Sequence, residues 1–125
     1  MLDTSIELCR IFAGATMAFV FLTSCATPQK NEVTPGIEIL ALSRGRGVPD
    51  ATRAVIERMR TVLAEKRSNG TVVDTWEVVF GLEGETRICV TLRDREALEE
   101  VLSDLLEIGE NVDLIEIHGR ACSSQ

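Results

Sequence analysis

Residues 71–93 read TVVDTWEVVFGLEGETRICVTLR and contain two runs that are rich in β-branched and aromatic residues. Both runs, 71–80 and 85–93, alternate their side chains with the period of two that is typical of β-strands. The residues between them, 81–84, include two glycines, and a connection of this length joins antiparallel neighbours in a hairpin. We therefore predict a β-hairpin near the middle of the chain.

The segments on either side of this hairpin each predict one strand and one helix. Residues 36–43 are apolar and β-branched, and residues 49–67 carry apolar side chains at helical spacing after a proline in the first turn. Beyond the hairpin, Asp94 is a helix N-cap, Gly109 ends that helix, and residues 111–119 predict a last strand. The order strand, helix, strand, strand, helix, strand predicts an α+β, ferredoxin-like βαββαβ domain, with a four-stranded antiparallel sheet and two helices on one face.

The two faces of this sheet have different predicted neighbours. Alternation along the second strand places Val72, Trp76, Val78 and Phe80 on one face and Val73, Thr75, Glu77 and Val79 on the other. The face away from the helices is predicted to be open and to mix apolar with charged side chains, as a protein interface or dimer contact does. Its predicted interface residues are Leu40, Leu42, Val79, Arg87, Thr91 and Arg93. The alternative is a surface that is partly covered by the polar segment before the domain, residues 25–35, and by the C-terminal residues 120–125.

The N-terminal residues predict an export signal and not a part of this domain. Residues 11–22 are uncharged; they are too few for an ordinary membrane-spanning helix of roughly 20 residues, but they fit the apolar core of a secretory signal. Leu22-Thr23-Ser24-Cys25 resembles the lipobox of bacterial lipoproteins, in which an aliphatic residue and two small residues precede the lipidated cysteine. The resemblance implies cleavage before Cys25, a lipid such as palmitate on it, and anchoring in the bacterial cell envelope. The alternative is an uncleaved signal anchor in which this cysteine has no role.

These predictions divide the chain into four segments: a signal peptide over 1–24, the lipidated cysteine and a flexible tether over 25–35, the ferredoxin-like domain over 36–119, and a tail over 120–125. Ala26 follows the cysteine where an Asp retains some lipoproteins in the inner membrane, which favours the outer membrane. If Cys25 carries lipid, Cys89 and Cys122 are an even pair in an oxidising compartment. A disulfide between them and two free thiols are both compatible with the sequence.

Composition excludes some classes of partner. The formal net charge is −7, and an acidic surface does not neutralise the phosphates of a nucleic acid. Aromatic residues make up 4% of the chain, which disfavours a platform for stacking sugars or bases. The predicted partners are therefore the membrane, through the lipid, and another protein or a second copy of the chain.

One loop has the features of an anion site. In Arg44-Gly45-Arg46-Gly47, two glycines allow backbone N–H groups to surround an anion, and two guanidiniums and a helix start add positive potential. Acylphosphatases share this order of elements and bind phosphate in a corresponding loop with an arginine, but the similarity here ends at Arg and Gly. The alternative is a solvated turn whose arginines pair with nearby acids.

No catalytic, cofactor or metal motif stands out. Cys89, His118 and Cys122 lack an evident fourth ligand for zinc, so we predict neither a metal nor a cofactor. The sequence favours a non-catalytic, lipid-anchored interaction domain of the envelope, either periplasmic or at the surface. The alternative is a small anion-binding or acylphosphatase-like enzyme that uses the Arg44–Gly47 loop.

Overall fold

The computed structural model describes residues 33–122 of the chain, and the predicted signal peptide, Cys25 and the end of the tail lie outside these residues. The elements are β1 Gly36–Ala41, α1 Asp50–Ser68, β2 Val72–Phe80, β3 Glu85–Leu92, α2 Arg95–Gly109 and β4 Ile115–His118. The strands form one antiparallel sheet in the order β2-β3-β1-β4. This arrangement confirms the predicted α+β, ferredoxin-like fold.

The core lies between the sheet and the two helices. Alternate residues of β1, Ile37 and Ile39, are fully buried, and Met59 of α1 and Leu105 of α2 close over them. Fully burying a large apolar side chain contributes roughly 1.5–3 kcal/mol. The helices are therefore held on the sheet mainly by these side chains. The opposite face of the sheet takes no part in this core.

The hairpin contains an irregularity that changes which side chains share a face. Val72 pairs with Leu92, but the next paired residue is Asp74, opposite Thr91, so one extra residue bulges out at Val73. A bulge of one residue reverses the orientation of every later side chain in the strand. From Asp74 onward, the faces predicted for this strand are therefore wrong.

The element ends differ from the predicted ones at both termini of the domain. β4 is only four residues long, because residues 110–114 turn back towards the sheet, and the N–H of Leu42 donates to the carbonyl of Leu114 at 2.9 Å. Pro35, predicted to end the tether, accepts a hydrogen bond from the N–H of Leu92 at 2.9 Å. Hydrogen bonding to the sheet thus begins one residue before β1.

Within residues 33–122, neither helix combines the length and the apolar character that crossing a bilayer requires.

Candidate functional site

The outer face, defined here as the sheet face away from the two helices, is built around Glu38. This residue lies on β1 opposite Cys89 of β3 and His118 of β4, so all three side chains are on the outer face. Leu40, Arg87 and Thr91 share that face by the same register, and three of the predicted interface residues are therefore correctly placed. A carboxylate on a central strand is unusual, because β1 is flanked by a strand on each side.

The C-terminal tail crosses this outer face over its described residues, 120–122. Cys122 forms a disulfide with Cys89, and the two Cα atoms are 5.9 Å apart. Ala121 lies against Gly36, where a Cβ atom would stand 2.8 Å from the Cα of Ala121. A glycine at position 36 therefore allows the tail to pass close to the sheet, and the covered part of the face extends over β1 and β3.

Two arginines neutralise the carboxylate beneath the tail. Glu38 is 7% exposed, and its Oε2 accepts hydrogen bonds from Nε and Nη2 of Arg120 at 2.9 and 2.6 Å. Its Oε1 lies 3.3 Å from Nε of Arg87, close enough for an ion pair but poorly aligned for a hydrogen bond. A nearly buried carboxylate requires such partners, because an unpaired buried charge costs several kcal/mol. Glu38 thus fixes the tail to the sheet.

The part of the outer face that the tail leaves exposed is apolar and aromatic. On β2, Trp76 lies opposite Cys89, Val78 opposite Arg87, and Phe80 opposite Glu85, so the three point outwards in a row. Trp76 is 39% and Val78 is 44% exposed. The guanidinium of Arg87 lies over the ring of Phe80, 5.5 Å from its centre, which is a cation–π distance. We call Trp76, Val78 and Phe80 the β2 row.

Of the other three predicted interface residues, one lies on the opposite face and two lie just beyond the ends of their strands. Val79 pairs with Thr86 and points to the helix side of the sheet, so its assignment to the open face is wrong, and the bulge at Val73 is the reason. Leu42 is beyond the end of β1, and Arg93 follows β3 and pairs with Asp94 through Nε at 2.8 Å. Sequence reasoning missed the β2 row and also missed Glu38 and Arg120.

The Arg44–Gly47 loop has the backbone predicted for it, but it already binds a carboxylate of its own chain. Gly45 and Gly47 have φ values of 84° and 79°, in the left-handed region that favours glycine. The N–H of Gly47 donates to a carboxylate oxygen of Glu83, from the β2–β3 turn. Arg44 and Arg46 line a cleft of about 570 Å³ together with Thr52 at the start of α1. The cleft, and not the loop backbone, is the part open to a ligand.

The two helices are joined by a charged contact. Lys66 of α1 reaches Glu100 and Asp104 of α2, and its Nζ lies 2.8 Å from Oδ2 of Asp104. Hydrogen bonds to Asp104 and then to Glu100 raise the pKa of this lysine above its ordinary value. Charges of opposite sign on the two helices thus partly neutralise each other within the domain.

The side chains that commonly bind metals are dispersed over the described part of the chain. No group of three or more His, Cys, Asp or Glu side chains converges there. His118 and Glu116 do lie on the same face, with Nε2 and Oε2 3.3 Å apart, but both are solvent-exposed. Comparison of the chain with protein-family models, curated proteins and solved structures gives no match.

Proposed function

We propose that this chain is a lipid-anchored protein of the bacterial envelope whose domain binds another protein molecule without catalysing a reaction. The observation that carries the proposal is the exposed β2 row beside Arg87. Aromatic residues and arginine are the side chains enriched at the centres of protein interfaces. Trp76 and Val78 are each about two fifths exposed, although the domain has a hydrophobic core in which such side chains are normally buried.

The lipobox-like segment supports the predicted location. A lipid on Cys25 would hold the domain close to a membrane, and the polar residues that follow would act as its tether. Partners of such a domain are then envelope proteins within the reach of that tether. The outer membrane is the proposed site, because Ala26 and not Asp follows the cysteine.

A photo-crosslinking residue introduced in host cells tests the proposed surface. We expect a crosslinker at Val78 to capture protein, whereas the same crosslinker at Leu106 of α2, which is 50% exposed, captures far less. The two positions have similar exposure, so the comparison controls for random collision. Equal capture from both positions would refute the proposed surface.

The anchor requires a separate experiment. We expect the intact mass of the protein from host membranes to begin at Cys25 and to include added lipid. The variant Cys25→Ser should leave the chain unlipidated and release the domain from the membrane fraction. An unmodified chain that begins at Met1 would refute the anchor but would leave the interaction surface to be judged by crosslinking.

A second candidate function is the binding of a small anion. It is supported by the cleft of about 570 Å³ that Arg44 and Arg46 line at the start of α1. We expect phosphate or carboxylate compounds to raise the thermal unfolding temperature, and the double variant Arg44→Ala/Arg46→Ala to abolish that rise. The same rise in the double variant would assign the anion to another place.

A further inference from the structure

The two edges of the sheet differ in how they are protected from other strands. Exposed edges invite pairing, and natural sheets discourage it with short strands, charges, prolines and bulges. The β4 edge is four residues long and carries Glu116 and His118. The β2 edge is nine residues long, and its second half, Trp76 to Phe80, has neither proline nor lysine.

The only charge in that second half is already neutralised within the domain. Glu77 points to the helix side, where its Oε2 accepts a hydrogen bond from Nε of Arg60 at 3.0 Å, and the other oxygen also contacts Arg60. Hydrogen bonding to Glu77 raises the pKa of Arg60, as expected for a close ion pair. The protecting features, the bulge and Asp74, lie in the first half. Residues 76–80 thus form an unprotected, apolar strand edge.

We propose that this edge pairs with the same edge of a second copy of the chain, antiparallel and about a two-fold axis through Val78, so that two four-stranded sheets form one of eight strands. This inference rests on the proposed function, because it names the partner of the β2 row. A second copy fits because the row reads aromatic, valine, aromatic and is symmetric about its centre.

The register follows from which side chains each centre would bring together. In an antiparallel pair about such an axis, directly opposite residues lie on the same sheet face. A centre at Glu77 would place two carboxylates opposite each other, and a centre at Trp76 would place Asp74 opposite Val78. A centre at Val78 places valine against valine and each Trp76 against the Phe80 of the second copy.

The Val78 register also provides contacts on the helix side. It places Val79, which is 66% exposed, opposite Glu77 of the second copy, beside the aliphatic stem of that copy's Arg60. No like charges face each other over residues 76–80. Because only five residues of each chain pair, the contact is at the low end of interface sizes, and we expect a weak, concentration-dependent dimer.

Disulfide trapping of the full-length chain tests the register directly. Because Val78 faces itself, Val78→Cys should form an intermolecular disulfide several-fold faster than Leu82→Cys in the exposed turn or Leu106→Cys on α2. The unsubstituted chain, treated in the same way, accounts for dimers formed through its other cysteines. A rate for Val78→Cys no higher than that for Leu82→Cys would overturn the inference.

Sedimentation over a range of concentrations provides a second readout that does not use thiols. Val78→Lys should abolish the concentration-dependent dimer, and the matched Leu106→Lys should retain it, with thermal unfolding showing that both variants fold. Retention of the dimer by Val78→Lys would overturn the inference. If Val78 captures a different protein and never a second copy, the pairing is refuted while the proposed function stands; if it captures nothing, both are refuted.

Discussion

Removal of the Cys89–Cys122 disulfide should lower the stability of the domain by several kcal/mol. The bridge joins residues 33 positions apart, and closing a loop of that length in the unfolded chain corresponds to about 3.7 kcal/mol at 25 °C in the chain-entropy description. A domain of this size has a total stability of roughly 5–13 kcal/mol. The bridge is therefore a large fraction of the free energy of unfolding.

The double variant Cys89→Ala/Cys122→Ala is the appropriate perturbation, because it leaves no unpaired thiol beneath the tail. Its free energy of unfolding is measured by denaturant titration against the oxidised parent chain. We expect a loss of about 3–4 kcal/mol, and a larger dependence on denaturant concentration, since the unfolded chain without the bridge exposes more surface. Reducing the parent chain should produce a similar loss.

A second measurement separates the loop effect from the loss of tail contacts. In the variant Arg120→Ala the disulfide remains, but the hydrogen bonds to Glu38 are removed, so the loss should be smaller than in the double variant. A loss of less than about 1 kcal/mol in the double variant would show that the bridge does not close the 33-residue loop in the stable form of the protein.

Three further substitutions test the contacts that hold the tail, the second helix and the core. Gly36→Ala places a methyl group against the Cα of Ala121, so it should cost about 1–3 kcal/mol through overpacking and speed the reduction of the disulfide by dithiothreitol, as followed by thiol labelling. The hydrogen bond from the N–H of Ala97, and then the guanidinium of Arg93, lower the pKa of Asp94 below its ordinary value of 3.8. The ionised carboxylate therefore stabilises the folded state above pH 3.8, and this stabilisation is lost as the pH falls through the lower pKa of the folded state. The difference in thermal unfolding temperature between the parent chain and Asp94→Asn should shrink over that acid range. Met59→Ala removes a fully buried side chain and should cost about 2–5 kcal/mol in denaturant titration, whereas a solvent-exposed arginine of the same helix changed to alanine should cost less than about 0.5 kcal/mol.

The order of elements was predictable from the sequence, because each element has a local signal. The glycine-containing turn at 81–84 fixes the hairpin, and Asp94 and Gly109 mark the ends of α2 at positions that the structure confirms. Signals of this kind extend over a few residues, so they can be recognised in the sequence without knowledge of the tertiary contacts. The fold class follows from their order.

The composition of the outer face was less predictable, because it depends on register over longer distances. A single extra residue at Val73 exchanged the two faces of β2 and moved the β2 row from the predicted core to the surface. One sign of this was present in the sequence: Asp74 would have pointed into the core if the alternation had been regular. The position of the tail had a similar sign, since Glu38 on a strand of apolar residues requires a positively charged partner from elsewhere.

The outer face has two parts: one is covered by the tail of the same chain, and the other, the β2 row, is exposed and is proposed to bind a partner. Arg120 and Cys122 cover the face over β1 and β3, where Arg120 joins Arg87 in neutralising the nearly buried carboxylate of Glu38. Arg87 stands at the boundary, with its Nε beside Glu38 and its guanidinium carbon over Phe80. Because one side chain contacts both halves, loss of the disulfide should disturb the β2 row as well as the tail. Protein binding at β2 is therefore expected to weaken when the bridge is reduced, although neither cysteine belongs to the binding surface.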